Sequence, residues 1–238
     1  MLFRLTCLAA LTTALVLSQS FDVASIKPVT AEQYGRLGRE FDVKPNGIHI
    51  QNLELMSLVR EVYGLKGYQI SGGPAWLTSD TFNIDAKTAE PHSRPEFMQM
   101  LQSLLADRFQ LKVRIEEKEG KIFYLTATDK PPNIKATTST GRAAVRIYRK
   151  DPPDQPGVNY ALVGERATMA MLCVELEAHM QRPVIDHTGL TGEYDFKVDY
   201  VVDQIGAAVQ SQLGFKLEPG RGPVRTLVIE HAERPSAN

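Results

Sequence analysis

The sequence predicts an α+β protein of two related modules that arose by duplication, and three observations carry that prediction. Each half of the 238-residue chain opens with a hairpin followed by an amphipathic helix. In each half a short strand, a glycine-bearing loop and an alternating strand come next. Each half then ends on a second helix and a stretch that reads as a hairpin. The expected division is an export segment over 1–20, a first module over 21–132, a linker over 133–143 and a second module over 144–238.

The opening segment, MLFRLTCLAALTTALVLSQS, places Arg4 ahead of an uncharged, mainly apolar run from Leu5 to Leu17, with small residues at Ser18 and Ser20. That order is the signature of a cleavable signal peptide. The run is shorter than the roughly 20 residues that a membrane-spanning helix needs. The expectation is a mature chain from near Phe21, without a membrane span, exported to the periplasm or secreted. Cleavage removes Cys7 and leaves Cys173 as the only thiol, so stability is expected from packing and not from a disulfide.

In the first module, EFDVKPNGIHIQN (40–52) is a hairpin around Pro45-Asn46-Gly47. Asn52 can then cap a helix whose apolar stripe is Leu55, Leu58, Val59, Val62 and Tyr63, with Gly64 as its stop. YQISGGPAWLTSDTFNIDAKT (68–88) reads as a strand, a turn-rich loop and an alternating strand of Phe82, Ile84 and Ala86. SRPEFMQMLQSLLADRF (93–109) opens on a capping box from Ser93 to Glu96 with Pro95 in its first turn. FQLKVRIEEKEGKIFYLTATDKPP (109–132) reads as two strands around a solvated tip at Glu116–Gly120.

The second module repeats the order. VRIYRKDPPDQPGVNYALVG (145–164) is a looser hairpin, and Thr168 caps a helix with the stripe Met169, Leu172, Cys173, Leu176 and Met180. RPVIDHTGLTGEYDFKVDYVV (182–202) gives strand, loop and the alternating strand Tyr194, Phe196, Val198, Tyr200. A helix from Asp203 to Gly214 leads into FKLEPGRGPVRTLVIEHAERPS (215–236), which reads as a hairpin around Pro219–Gly222. Between the modules, NIKATTSTGRA (133–143) is polar enough to be a joint.

Charge and chemistry narrow the function. A formal charge of −1 offers no basic field to gather nucleic acid or anionic lipid, so no nucleic-acid partner is expected. The densest candidate chemistry is VIDHTGLTGEYDFKVDY (184–200), where Asp186 and His187 adjoin. As a general base, His187 would be oriented by Asp186 and helped by a carboxylate such as Glu193 or Asp195. Neighbours on a strand point apart, however, and no G-x-S-x-G elbow supplies a nucleophile. The same loop in the first module has Ser71-Gly72 in that place, and both loops share glycine, an apolar plug (Leu190, Trp76) and an aromatic-led exit strand. The stretch reads as a corner whose Asp and Thr satisfy loop donors.

The histidines at 49, 92, 179, 187 and 231 are scattered without ligand spacing, and no metal site or cofactor is expected. Cys173 falls on an apolar stripe and reads as a buried thiol. SGGP (71–74) is a turn and lacks the following Lys-Ser of a phosphate loop. Trp76, the only tryptophan, reads either as a core plug or as an exposed contact residue.

FDVASIKP, NLELMSLVREVYGLKGYQISGGPAWLTSDTFNIDAK, LQSLLADRFQLKV, RPVIDHTGLTGEYDFKVDY and VIEHAERPSAN together resemble the soil-associated family of exported bacterial proteins, built on a domain of unknown function. The resemblance implies an uncharacterised exported protein. Some relatives are joined to membrane zinc peptidases of the β-lactam-sensor type, which implies a periplasmic sensing or binding portion. This chain lacks the peptidase part and its zinc motif, and the family offers no catalytic residues to carry over. Each half is also similar in element order to the short N-terminal signalling domains of secretins and TonB-dependent receptors.

The function expected is a non-enzymatic binding or sensing module of the bacterial envelope whose partner is an envelope protein or cell-wall component. Strand addition to the edges of the two closing hairpins is one way to dock. One alternative is an envelope hydrolase using Asp186 and His187. Another is a small-ligand sensor with its site between the modules, near Trp76 and Tyr68.

Overall fold

The computed structural model describes residues 20–150, 159–201 and 203–236. The expected signal segment, apart from Ser20, lies outside the described residues, as does the 151–158 tip of the looser hairpin. The fold is α+β, with five helices and several sheets, 27% helical and 43% strand. In chain order the elements are β1 (Val23–Pro28), α1 (Ala31–Tyr34), β2 (Glu40–Lys44), β3 (Gly47–Glu54), α2 (Leu55–Tyr63), β4 (Ile70–Gly72), β5 (Thr81–Lys87), α3 (Arg94–Arg108) and β6 (Lys112–Ala127). They continue with β7 (Lys135–Ala136), β8 (Ala144–Arg149), β9 (Asn159–Ala167), α4 (Met169–Met180), β10 (Val184–Asp186), β11 (Tyr194–Val201), α5 (Ile205–Leu213) and β12 (Phe215–His231).

The chain forms two compact units. The first takes the described residues up to Gly64, Pro74–Lys112 and the described residues from His231. Its sheet has the order β1-β5-β3-β2, antiparallel throughout. The inward residues Ile26, Ile48, Ile50, Ile84 and Ala86 are buried with Leu55, Leu58 and Val59 of α2 and Phe97, Leu101 and Leu105 of α3. Alternation on the strands and 3.6-residue spacing on the helices put these residues on facing surfaces. Gly64 ends α2 in the left-handed conformation, and the Glu96 carboxylate accepts the backbone N–H of Ser93 at 2.7 Å, as the capping-box reading of α3 requires.

The second unit takes Leu65–Gly73 and the described residues of Val113–Glu230. One of its sheets has the order β7-β11-β9-β8. Its core joins Leu162, Phe196 and Val198 to Leu172, Cys173 and Leu176 of α4 and Ile205, Val209 and Leu213 of α5. Thr168 caps α4 by accepting from Met171 N–H at 3.3 Å. The strand order matches that of the first unit position for position. In both sheets the strand before the helix carries a bulge, with a positive-φ residue three places ahead of the helix: Asn52 and Arg166.

Four local expectations change. Asn52 does not cap α2: Glu54 holds that position, and Asn52 sits buried in the bulge at φ 53°. There its N–H donates to Asn83 Oδ1 and its amide to the Leu37 carbonyl. Asparagine tolerates the left-handed region, which is what the bulge demands. The helix expected from Asp203 begins at Ile205, with Asp203 at φ 67° ahead of it. The expected joint at 133–143 is not free chain throughout, because Lys135–Ala136 pairs with β11.

The fourth change is the largest. The two closing hairpins are not hairpins. β6 and β12 are continuous strands of 16 and 17 residues, and each is the other's neighbour in a sheet of order β10-β6-β12-β4. The glycines that read as turn residues do other work. A Cβ on Gly120 would lie 2.7 Å from Val224 Cγ2, one on Gly222 2.7 Å from Ile122 Cδ1, and one on Gly220 would run into the Tyr124 ring. These glycines make room for side chains of the opposite strand. None of the three has a positive φ, so nothing in the backbone demands a turn there.

Candidate functional site

The outward face of the first unit's sheet follows from its inward one. With Ile48, Ile50, Ile84 and Ala86 turned to the core, the alternate residues His49, Asp85 and Lys87 must point to solvent. Register then sets them in rows. Asp42 opposes His49, and His49 opposes Asp85. One step towards the hairpin turn, Lys44 opposes Gly47, and Gly47 opposes Lys87. A groove of about 520 Å³ opens here, with Lys44, Asn46, Gly47, His49, Asp85 and Lys87 in its lining. That volume falls in the range of about 300–1,000 Å³ usual for small-molecule sites.

Within the groove, His49 Nδ1 lies 2.7 Å from Asp85 Oδ1. A carboxylate accepts, so Nδ1 is the donor and Nε2 remains available. Lys44 lies 3.7 Å from Asp42, a loose and well-exposed pair. Among the described residues no carboxylate oxygen lies within 4.0 Å of the Lys87 ammonium. The groove therefore presents two cationic side chains in one row and an imidazole–carboxylate pair in the next.

The Asp186–His187 corner has a different geometry. Asp186 Oδ1 accepts both the backbone N–H and the hydroxyl of Thr188, at 2.9 and 2.7 Å, and Thr188 Oγ1 accepts from Leu190 N–H. His187 donates its backbone N–H to the Leu125 carbonyl, and its ring stacks on Tyr124 with centroids 4.3 Å apart. Glu193 pairs with Arg166 at 2.8 Å, while Asp195 accepts from the Arg166 N–H and the Thr137 hydroxyl. These groups hold the β10 corner, the β9 bulge and β7 in place.

Trp76 and Tyr68 fall in different units. Trp76 is half-buried, 6.5 Å from the Phe109 ring and 6.3 Å from Phe82, with the Arg234 guanidinium 5.2 Å above it. Arg234 also donates to Asp80 at 2.7 Å. The fully buried plug of that loop is the neighbouring Leu77. Tyr68 donates to Glu177 Oε1 at 2.7 Å, and burial pushes its phenol above its usual range. Burial, with the nearby charges of Asp186 and Glu177, pushes the Cys173 thiol up to about 12. Among the described residues no three His, Cys, Asp or Glu side chains gather closely enough to hold a metal ion. Among them also, no helix is long and apolar enough to cross a membrane.

The family described as a protein of unknown function, DUF3738, matches residues 56–232. The chain belongs to the DUF3738 family. No curated protein and no solved structure matches it. The DUF3738 match contains Tyr68, Trp76, Asp85, Lys87 and the Asp186–His187 corner, whereas Lys44, Gly47 and His49 precede it. The groove thus joins residues inside the matched DUF3738 region to a hairpin just ahead of it. Sequence reasoning missed the groove. Its only local signal is the Pro45-Asn46 turn, which sets Lys44 opposite Gly47. The pairing of β3 with β5 is long-range and leaves no local trace.

Proposed function

We propose that this chain is a binding module of the bacterial envelope, exported to the periplasm or secreted, and that its ligand or partner engages the groove on the β1-β5-β3-β2 sheet. The carrying observation is the row arrangement of Lys44, Gly47 and Lys87 beside His49 and Asp85 on a rigid sheet. Sites built on strands hold charged groups more accurately than sites on loops. The export signature at 1–20 and the resemblance to exported soil-associated proteins support the location. The like order of the β1-β5-β3-β2 and β7-β11-β9-β8 sheets supports an origin by duplication. An envelope protein or cell-wall component is the expected class of partner.

Site-specific photocrosslinking in a bacterial host tests the reading. Benzoylphenylalanine placed at Lys87 is expected to give a discrete adduct that the same group at Val174, an exposed position on α4, does not. Equal labelling from both positions, or none from Lys87, would sink the proposal.

A further inference from the structure

We infer that the groove recognises a short zwitterionic peptide, with a free carboxylate between Lys44 and Lys87 and a free ammonium on Asp85. This rests on the groove being the binding site. Lys44 and Lys87 stand on the strands either side of β3, so their Cα atoms are two strand spacings, about 10 Å, apart. No side chain of β3 stands between them, and the Gly47 backbone beneath is buried. The residue in the middle of the row is Gly47, and any Cβ there would run into the Ala86 carbonyl oxygen. Two flexible ammonium groups can therefore close on one oxyanion from opposite sides. Lys44 has only its loose pair with Asp42 to give up, and Lys87 has no carboxylate partner among the described residues.

The second half of the site is the next row. Asp85 uses one carboxylate oxygen on His49 and is 61% exposed, which leaves its other oxygen open to a cation. Residues two apart on a strand are about 7 Å apart, so the positive and negative rows are separated by that distance. An extended peptide advances at most about 3.3–3.6 Å per residue. A free dipeptide lying obliquely from Gly47 on β3 to Asp85 on β5 therefore spans the two rows with its charged ends. A single amino acid holds its charges too close together to reach both rows, and a tetrapeptide holds them too far apart. The ruler is the pleat of the sheet itself.

Isothermal titration of the purified mature chain at low ionic strength tests this directly. The probes are alanyl-alanine, its N-acetyl form, its C-terminal amide, alanine and tetra-alanine. Alanyl-alanine is expected to bind, with each blocked form and alanine at least about tenfold weaker. Lys44→Gln, Lys87→Gln and Asp85→Asn should each weaken it by about tenfold or more, and Lys118→Gln, on β6, should not. Equal binding of free and blocked dipeptide, or no saturable binding of any probe, would overturn the inference. If dipeptides fail while the crosslinker at Lys87 still captures a partner, the peptide assignment falls and the groove as a binding site stands. If neither binds, both fall together.

Discussion

Gly120 and Val224 offer a sharp test of the β6–β12 pairing. Val224 is 8% exposed, and truncating it to alanine removes two methyl-sized groups at about 0.8 kcal/mol each plus a cavity contribution, about 2 kcal/mol in all. Gly120→Ala places a Cβ 2.7 Å from Val224 Cγ2 and 3.3 Å from its Cβ. The nearer contact is about 1 Å inside the optimal carbon–carbon separation. Valine is stiff about χ1 and cannot swing away, so overpacking should cost about 1–3 kcal/mol. Reduced freedom of the unfolded chain offsets about 0.5–1 kcal/mol of that. In the double variant the clashing Cγ2 is gone, and what remains is the loss of Val224 and the milder 3.3 Å contact with the Cβ at 224. Urea unfolding followed by circular dichroism should give a double-mutant cycle with a coupling of about 1–2 kcal/mol, the double variant being the less damaged. Additivity within about 0.5 kcal/mol would refute the reasoning. It is the result expected if Gly120 turned a local hairpin and never met Val224.

Other outcomes follow from single side chains. The Cys173 thiol, held up to about 12, should resist iodoacetamide in the native protein at pH 8 and react readily in denaturant, because the thiolate is the nucleophile. Since its folded value lies above the unfolded one, the stability linked to it is intact below about pH 9 and declines as pH climbs towards 12; titrating Cys173→Ala beside the parent isolates that contribution. Arg39 grips Glu54 with both terminal nitrogens at 2.5 Å and holds its carboxyl down to about 2. That linked stability is present above about pH 4.5 and lost as pH falls through 2, and Arg39→Gln should return the Glu54 titration in NMR towards 4.5. Arg234→Ala removes the cation over Trp76 and should cost about 0.5–1 kcal/mol while increasing acrylamide quenching of the single tryptophan. Unchanged quenching would mean that the tail does not cover the ring.

Much of the fold was legible locally. The stripes of α2 and α4, the Thr168 cap, the Ser93–Glu96 box and the stops at Gly64 and Gly214 all lie within a few residues of what they control. The Pro45-Asn46 hairpin was equally local. Asn52 misled because an asparagine ahead of an apolar stripe suits a cap and a left-handed bulge alike, and only the Asn83 and Leu37 contacts distinguish them. The Asp186–His187 pair drew attention as chemistry, but its hydrogen bonds to Thr188 and its stacking on Tyr124 depend on β10 lying against β6.

By itself, then, the sequence determined the α+β class and the apolar faces of the main helices and alternating strands, because periodicity and capping act over one or two turns of chain. By contrast, β1, α1 and β7 left no local signal. Tertiary structure decided which strands are partners. The alternation in KVRIEEKEGKIFYLTA serves a hairpin and a continuous strand equally well, and only the side chains of β12 pressed against Gly120 show which forms. The groove has the same origin. Lys44, Gly47 and Lys87 become neighbours through cross-strand register, a long-range property with no period of its own in the chain.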